Sequence, residues 1–335
     1  MRLWKGAQYI SHKNREEWLA IRKTLGVGGS ESAAILGLSP YSCAAKVFYD
    51  KLGFNRPTPT SLPMIIGNED EDKIAKLWSY YEPHIGYESI ARNYDAKRVI
   101  RKPIKFNKIV VNDKHPFLFG NVDRLFMRGK DRSILEMKTI NHWEANKWES
   151  GVPIHYVIQI QHYMLIFEAK YAELAILEAN SQFTVVPFDP SPAIHERIIE
   201  QCHSFWELVK EARQIIDKGG TELDIQHLVP GPDGSDAYTE FLKEKHGGSV
   251  RDPESVVTAT TEDLAHLKSM FELQKEMEEM QRKVNLHEQA LRNRIIENPI
   301  LDFGDQYGRV TWRPDKNGKR TFRTNSVKKD AVLSL

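Results

Sequence analysis

Hydrophobic positions along the chain recur with two spacings, one typical of helices and one typical of strands. In 67–81 the apolar residues Ile74, Leu77, Trp78 and Tyr81 lie on one helical face. By the same criteria and their end signals, helices are predicted at 14–24, 30–36, 43–53, 67–81, 154–168, 191–217 and 261–298. Strands are predicted at about 97–102, 107–112, 117–127, 133–140, 171–179, 182–188, 307–313 and 319–323. This order of elements predicts an α/β or α+β core, with a mixed sheet flanked by helices.

The amino-acid composition changes after residue 217 and suggests that the chain has three parts. Residues 1–217 carry the predicted core, whereas 218–260 is rich in Gly, Pro and Asp and is predicted to be a loop or linker. Residues 261–335 are predicted to form a long charged helix followed by a terminal β-hairpin. The helix has a narrow apolar stripe made of Leu264, Leu267, Met270, Phe271, Leu273 and Met277. The stripe fits either a subunit or partner contact or packing against the chain's own core, and both remain open.

Composition narrows the functional classes. The 335 residues include 47 Lys and Arg and 46 Asp and Glu, a net charge of +1. A protein that merely coats nucleic acid would be more basic, so DNA contacts would need local patches. The basic stretches 97–108 and 316–323 are candidates, although either could equally be a solvated strand face. The sequence has no apolar run of membrane-spanning length, and two cysteines are too few for a disulfide framework, so we expect an intracellular protein that does not contact a membrane.

The segment 117–139 places acids and a lysine at one end of a predicted hairpin. Asp123 follows the first apolar stretch, and Glu136 and Lys138 lie on the second strand. Because strand side chains repeat every two residues, Glu136 and Lys138 share a face. Two carboxylates and a lysine are what Mg²⁺-dependent phosphodiester hydrolysis requires, since hard oxygen ligands hold the metal and the metal activates water. An exposed hairpin with an ordinary ion pair would show the same pattern.

Two further segments carry candidate chemistry. The stretch Val27-Gly28-Gly29-Ser30 precedes a predicted helix and could bind an anion at the helix N-terminus, with Arg22 adding a bidentate contact. A plain turn with Ser30 as the helix cap is the alternative. In 154–168, Gln159 and Gln161 lie within an almost wholly apolar helix, so their amides need partners, either functional groups or backbone. His155 and His162 share one helical face, and we interpret them as ordinary helix residues rather than metal ligands.

The acidic cluster at residues 69–72 begins another predicted helix. One of its acids facing the hairpin could complete a metal site. The others fit the usual enrichment of acids near a helix N-terminus.

Taken together, these segments resemble the YqaJ-like phage recombination exonucleases of the lambda exonuclease type, within the PD-(D/E)xK nuclease superfamily. The resemblance follows the chain in order and begins with GVGGSESAAILGLSPY at 26–41. It continues with a GxxxE pattern at Gly67 to Glu71, the acid Asp123 and an ExK at 136–138. A YxxQxQ pattern follows at 156–161, and the PGPDGSDA loop, the long helix and the terminal strands also resemble the C-terminal part of many phage-associated members. The superfamily proline before the acid is Val122 here, and Asn121 stands where a small hydroxyl residue is common.

The resemblance implies a role for each matching residue. Asp123, Glu136 and Glu71 would be the metal ligands, with Mg²⁺ as the expected ion and Mn²⁺ as the alternative. Lys138 would bind or deprotonate the attacking water. Binding of DNA and its 5′-phosphate would fall to Arg22, Ser30, Asn121, Gln159 and Gln161. Lys23 competes with Arg22 for this role.

The resemblance also implies an activity. It is metal-dependent 5′-to-3′ exonuclease action on double-stranded DNA ends, releasing 5′-mononucleotides and leaving 3′ tails for strand annealing. The expected partners are an annealing protein and further copies of the chain in a trimeric ring. The expected location is the cytoplasm, with a phage, prophage or mobile-element origin. A structure- or sequence-selective endonuclease and a non-catalytic DNA-end scaffold are the rival interpretations.

Overall fold

The fold is taken from a computed structural model that describes residues 6–55, 60–141, 144–148, 151–247, 256–328 and 332–334. The chain divides into two units, Met1–Val250 and Arg251–Leu335. The first contains helices α1 to α8 and strands β1 to β9, and the second contains α9 and β10 to β12. None of the described helices is long and apolar enough to cross a membrane.

The predicted helices begin and end close to the predicted positions, whereas α5 was not predicted. In α1, the Asn14 side chain accepts a hydrogen bond from the Glu17 N–H at 2.9 Å and caps the helix. Helix α4 begins five residues before the predicted start and has Ile74 and Trp78 fully buried, as the apolar pattern indicated. The helices are α1 Arg15–Leu25, α2 Gly29–Ile35, α3 Ala44–Leu52, α4 Leu62–Tyr80, α5 Glu88–Asp95, α6 Ile154–Ile166, α7 Pro192–Asp217, α8 Asp236–His246 and α9 Thr261–Arg294.

A mixed five-stranded sheet forms the centre of the first unit. Its order is β3-β6-β7-β8-β9, and only the β7–β8 pair is parallel. Helix α6 lies in the connection from β7 to β8, as a parallel pair requires. The strands are β3 Ile104–Lys105, β6 Arg124–Arg128, β7 Asp131–Ile140, β8 Ala172–Glu178 and β9 Gln182–Phe188. The predicted fold class, a mixed sheet flanked by helices, is therefore confirmed.

Two smaller sheets complete the molecule. The first, ordered β1-β4-β5-β2, lies in the same unit and carries the glycine-rich segment at its edge. The second is the antiparallel sheet β10-β11-β12 of the C-terminal unit. Their strands are β1 Ala7–Ile10, β2 Val27–Gly28, β4 Ile109–Asn112, β5 Leu118–Gly120, β10 Ile300–Asp302, β11 Gly308–Pro314 and β12 Arg320–Val327.

Three predicted segments differ from the structure. Residues 97–102 form no strand; Lys97 has a φ of +52°, and Arg101 pairs with Glu173 at 2.7 Å and lies over the Trp78 ring. The predicted strand 117–127 is split into β5 and β6, which belong to different sheets. The break between them, at 121–123, carries Asp123.

The predicted linker 218–260 also differs from the structure, because it contains helix α8. Phe241 of α8 is buried and stacks on Tyr49 of α3 with ring centroids 5.8 Å apart. This apolar contact makes 236–246 part of the first unit rather than a free connection.

Helix α9 is a single helix, as predicted, and none of its residues is buried. Its apolar stripe is exposed.

Candidate active site

The β6–β7 hairpin brings Asp123, Glu136 and Lys138 together, and we call these three residues the carboxylate centre. Asp123 immediately precedes β6, and its Oδ2 accepts a hydrogen bond from the Met137 N–H at 2.9 Å. On β7, Lys138 Nζ lies 2.7 Å from Glu136 Oε1, so the two side chains share a face as the strand alternation predicted. Both register and side-chain direction therefore follow from the pleat of one hairpin.

Burial and like charge set the protonation of the carboxylate centre. The Glu136 side chain is almost fully enclosed, and burial together with the nearby Asp123 charge raises its pKa to about 7. Burial also raises the pKa of Asp123. Burial alone would lower the pKa of Lys138, but the charges of Glu136 and Asp123 outweigh it and raise that pKa. The centre thus holds one firmly charged lysine and two carboxylates that resist simultaneous ionisation.

Helix α6 covers the carboxylate centre with polar side chains. Gln159 Nε2 donates to Glu136 Oε1 at 3.0 Å and to the Tyr163 hydroxyl at 3.1 Å. The ring of Tyr156 lies 5.3 Å from Lys138 Nζ. Gln159 therefore lies beside the centre, and Tyr163 follows one helical turn later.

Gln161 does not reach the centre, which corrects its predicted contact with DNA. Its Nε2 donates to the Asp189 carbonyl at 2.8 Å, and its Oε1 accepts from the Ser191 N–H at 2.9 Å. The buried amide therefore fixes the connection from β9 to α7. His162 is likewise structural, since its ring nitrogens lie 2.6 Å from Ser32 Oγ and 3.0 Å from the Phe119 carbonyl.

Glu71 is the acid of α4 that interacts electrostatically with the centre, and Asp70, Glu71 and Asp72 form ion pairs of their own. Glu71 lies 3.6 Å from Arg124 Nη1, and Arg124 also pairs with Asp72. Asp70 accepts a hydrogen bond from the Thr139 hydroxyl at 3.1 Å. Burial and the Asp123 charge raise the pKa of Glu71, so Glu71 interacts electrostatically with the carboxylate centre. Asn121 is half-buried in the break before Asp123.

The carboxylate centre has the chemistry of a divalent-cation site. Across the described residues, no group of three His, Cys, Asp or Glu side chains is arranged to hold a metal ion. Yet Glu136 Oε2 is enclosed without a hydrogen-bond partner in the described structure, beside the half-buried carboxylate of Asp123. A cation would relieve both the unpaired oxygen and the repulsion, and Mg²⁺ commonly uses only one or two protein carboxylates. The donor set therefore fits a hard divalent ion.

A second charged group lies at the glycine-rich segment, and we call Arg22, Glu31 and Lys51 the arginine cluster. Arg22 Nη2 lies 3.2 Å from Glu31 Oε1 and donates to Ser30 Oγ at 3.2 Å. Lys51 of α3 is only 2% exposed, and its Nζ contacts Glu31 Oε2 and the Arg22 carbonyl, both at 2.7 Å. Arg22 also stacks on the Trp18 ring at 4.4 Å. Arg22 and Ser30 are thus adjacent as predicted, whereas Lys23 is exposed.

Sequence reasoning missed Glu31 and Lys51. Burial alone would raise the pKa of Glu31, but the charges of Lys51 and Arg22 hold it at about 2. Glu31 is therefore ionised at neutral pH between two cationic side chains, which gives the arginine cluster a net positive formal charge. A lysine in the otherwise apolar buried face of 44–52 was the available signal.

Comparison with known proteins finds a family model that matches this region. Residues 17–170 match the family model of the YqaJ-like viral recombinase domain. The matched domain spans just under half of the chain. The domain contains the carboxylate centre, the arginine cluster and every site residue predicted from the sequence.

Relatives of the YqaJ-like domain are distant in sequence. The protein YqaJ of Bacillus subtilis (strain 168) is 27% identical over 284 residues, which cover 82% of this chain and 78% of that protein. An alkaline exonuclease, LHK-Exo from Laribacter hongkongensis, is 16% identical, with a TM-score of 0.44 over 61% of this chain and 97% of its own. A phage-related exonuclease from Haemophilus somnus 129PT is 15% identical, with a TM-score of 0.36 over 58% and 97%.

Proposed function

We propose that this protein is a metal-dependent exonuclease that degrades double-stranded DNA from its 5′ ends and leaves 3′ single strands for recombination by annealing. The observation that carries the proposal is the carboxylate centre, where an enclosed and unpartnered Glu136 oxygen lies beside Asp123 and Lys138. Mg²⁺ is the expected cation, with Mn²⁺ as the alternative. The YqaJ-like viral recombinase domain supports the recombination role.

In the proposed reaction, each residue of the centre has a distinct task. Asp123 and Glu136 would hold the cation, with Glu71 as the predicted third ligand, and the bound cation would supply Lewis-acid chemistry and a water of lowered pKa. Lys138 holds its proton firmly, so it would orient the attacking water and stabilise charge on the scissile phosphate. Gln159 fixes one Glu136 oxygen and leaves the other free.

The arginine cluster supports a preference for DNA ends. A 5′-phosphate carries more negative charge than an internal phosphodiester, and the net positive cluster offers Arg22 and Ser30 to it. Glu31 and Lys51 would hold the Arg22 guanidinium in place before DNA arrives. Processive action would follow from a homo-trimeric ring around the DNA, and an annealing protein would receive the 3′ strand. The net charge of +1 is consistent with retention by enclosure rather than by strong attraction.

The test compares linear and covalently closed circular duplex DNA in Mg²⁺, with 5′- and 3′-labelled ends. We expect linear DNA to release the 5′ label as mononucleotide while the 3′-labelled strand stays long, and the closed circle to stay intact. Cutting of the circle would support an endonuclease instead. Binding without any release of label would support a DNA-end scaffold.

A further inference from the structure

The two faces of the C-terminal sheet β10-β11-β12 differ in chemistry. One face packs against the end of α9, where Val310 of β11 and Ile295 are both buried. On the same face, Trp312 of β11 and Phe322 of β12 are register partners. Because side chains alternate along a strand, the residues between these point to the opposite face of the sheet.

Arg320 fixes the covered face of this sheet to the helix. Its guanidinium lies 4.0 Å from the centre of the Trp312 ring and donates to the Trp312 carbonyl at 2.9 Å and to the Ile296 carbonyl at 2.6 Å. The guanidinium of Arg292 on α9 lies 5.2 Å from the centre of the Phe322 ring. The sheet is therefore supported from one side, and strand pairing holds the positions on its other side.

The opposite face carries arginine and threonine, and we call Arg309, Thr311, Arg313, Thr321 and Arg323 the basic face. The first three alternate along β11, and Arg323 and Thr321 of β12 are the register partners of Thr311 and Arg313. Neighbouring positions on such a face are about 7 Å apart along a strand and about 5 Å apart across it. All three arginines are exposed.

The arginines of the basic face have no carboxylate partner. Within the described ranges, none of their guanidinium groups forms an ion pair. Asp302 of β10 is the register partner of Arg309, but its Oδ1 accepts a hydrogen bond from the Gly304 N–H at 2.8 Å. Asp315, in the β11–β12 turn, accepts from the Lys319 N–H at 3.0 Å. These acids stabilise turns, and the arginine charges remain available to a ligand.

The composition of the basic face favours a phosphate polymer as its ligand. Residues 300–328 contain seven Lys and Arg and three Asp and Glu, although the whole chain has a net charge of only +1. Arg and Thr side chains commonly donate to the phosphate oxygens of DNA. Ile300, half-buried on β10, is the apolar side chain on this face. A stable protein interface needs an apolar core, and insertion into a lipid surface needs large apolar side chains.

We propose that the basic face binds the sugar-phosphate backbone of DNA, as a contact that lies outside residues 17–170. The choice of DNA as the polymer rests on the proposed function, in which DNA is the substrate. Contacts to phosphates carry no base information, so binding at the basic face is independent of sequence. The contacts release counterions from DNA, so this binding weakens as the salt concentration rises.

The first experiment measures the salt dependence of DNA binding by the full-length protein in chelator, which blocks metal-dependent hydrolysis. The arginine variant combines Arg309→Gln, Arg313→Gln and Arg323→Gln, and binding of a labelled linear duplex is followed by fluorescence anisotropy. Each lost phosphate contact lowers the slope of log affinity against log salt by about 0.9, so we expect the slope to fall by about 2 to 3. Near physiological salt the affinity should fall about 10- to 100-fold, equally for duplexes of unrelated sequence.

Two further variants control for charge. Lysine at the same three positions keeps the charge and should keep most of the slope, because lysine also binds phosphate. Removing three exposed charges from α9, with Lys275→Gln, Arg282→Gln and Lys283→Gln, should leave the slope unchanged. An unchanged slope in the arginine variant, or an equal loss in the α9 variant, would overturn the proposal.

The second experiment distinguishes DNA from an acidic protein. Labelled polyglutamate is titrated in the same buffer, and we expect the wild type and the arginine variant to bind it equally weakly, because the basic face has no apolar core to hold a peptide. If polyglutamate and DNA lost the same factor of affinity, the basic face would be a surface for an acidic protein instead.

Digestion of linear duplex in Mg²⁺ separates this proposal from the proposed function. If the wild type digests no DNA but the arginine variant loses slope in chelator, the exonuclease proposal fails and the basic face stands. If the wild type digests DNA but the arginine variant keeps the full slope, the basic face alone fails.

Discussion

The carboxylate centre and the arginine cluster are built from the same residue types in opposite proportion. In the first, the buried Glu136 and the half-buried Asp123 lie beside one lysine, and the pKa of Glu136 rises to about 7. In the second, a lysine and an arginine surround one carboxylate, and the pKa of Glu31 falls to about 2. The first therefore lacks a positive charge and the second lacks a negative one. The comparison teaches that local charge balance, rather than the net charge of the chain, indicates which ligand each site needs.

Replacing the lysine of the carboxylate centre, Lys138, should have the largest effect. In Lys138→Met we expect the digestion rate of linear duplex to fall by about 10²- to 10³-fold, the range typical of losing one group that stabilises charge in the transition state. DNA binding should persist, because the arginine cluster is untouched. The control is Lys130→Met, in the exposed turn of the same hairpin. Full activity of Lys138→Met would remove this residue from the proposed mechanism.

Removing the anion of the arginine cluster should chiefly affect stability. Glu31→Gln leaves the enclosed Lys51 without its charge partner, so the free energy of unfolding should fall by about 3 kcal/mol in urea titration. The matched control is Glu244→Gln, whose carboxylate pairs with Lys46 but is 61% exposed. That variant should lose less than about 1 kcal/mol. Similar losses in the two variants would show that Glu31 is no more important than a surface acid.

Gly29 lies next to Ser30 at the arginine cluster and against the Tyr163 ring beside the carboxylate centre. A substitution at Gly29 should therefore affect both sites. A Cβ at Gly29 would lie 2.4 Å from the Tyr163 ring, which contacts Gln159 above Glu136. Gly29→Ala should displace this ring and lower the digestion rate by about 10²-fold, because small misplacements are costly in catalysis. Gly67→Ala on α4, where the Cβ meets no atom within 4 Å, should keep full activity. Unchanged kinetics in Gly29→Ala would mean that the helix adjusts freely.

The opposite pKa shifts predict opposite pH dependences of stability. Glu136 has a raised pKa in the folded chain, so the folded state binds more protons than the unfolded state between the usual value of 4.5 and about 7. In chelator, the free energy of unfolding should therefore fall by about 1–3 kcal/mol as pH rises through this window, and less in Glu136→Gln. For Glu31 the stabilisation is lost as pH falls from 4.5 towards about 2. Parallel pH profiles of wild type and Glu136→Gln would refute the first assignment.

The smallest expected effect concerns the choice of DNA end. Lysine at position 22 keeps the charge but loses the planar fork that contacts Ser30 and Glu31 and stacks on Trp18. Arg22→Lys should reduce the preference for 5′-phosphorylated over 5′-hydroxyl ends about tenfold, since one bidentate contact contributes on the order of 1.4 kcal/mol. The exposed Lys23, changed to Gln, is the control. If Lys23→Gln lost the preference for 5′-phosphorylated ends and Arg22→Lys kept it, Lys23 rather than Arg22 would be the phosphate ligand.

The parts of the site that follow from local sequence were predictable. Alternation along one strand places Glu136 beside Lys138, and a short loop after α1 places Ser30 beside Arg22. The ion pair between Lys51 and Glu31 joins residues on different helices. The periodicity of one helix contains no information about such a contact. Gln161 had the same signal as Gln159, an amide in an apolar helix. Only the tertiary structure shows that one amide meets a carboxylate and the other meets backbone.

In the fold, too, features set by neighbouring residues were predicted, whereas features set by contacts between distant residues were not. Helix ends followed from caps and apolar periods, whereas 117–127 contained no proline to mark its division between two sheets. Residues 97–102 form no strand, and Arg101 instead pairs with Glu173 and lies over the Trp78 ring, which are contacts between distant parts of the chain.

The unequal pairing of β7 has a consequence for the order of folding. Its antiparallel partner β6 is separated by a two-residue turn, whereas its parallel partner β8 follows only after α6. Hairpins close within about 1–10 μs, while pairing across a long crossover is slower. We therefore expect Asp123 to meet Glu136 early, in water, and α6 to cover them late. The electrostatic cost of enclosing both acids then falls on the last step, so a chelator should slow refolding more at alkaline than at acidic pH.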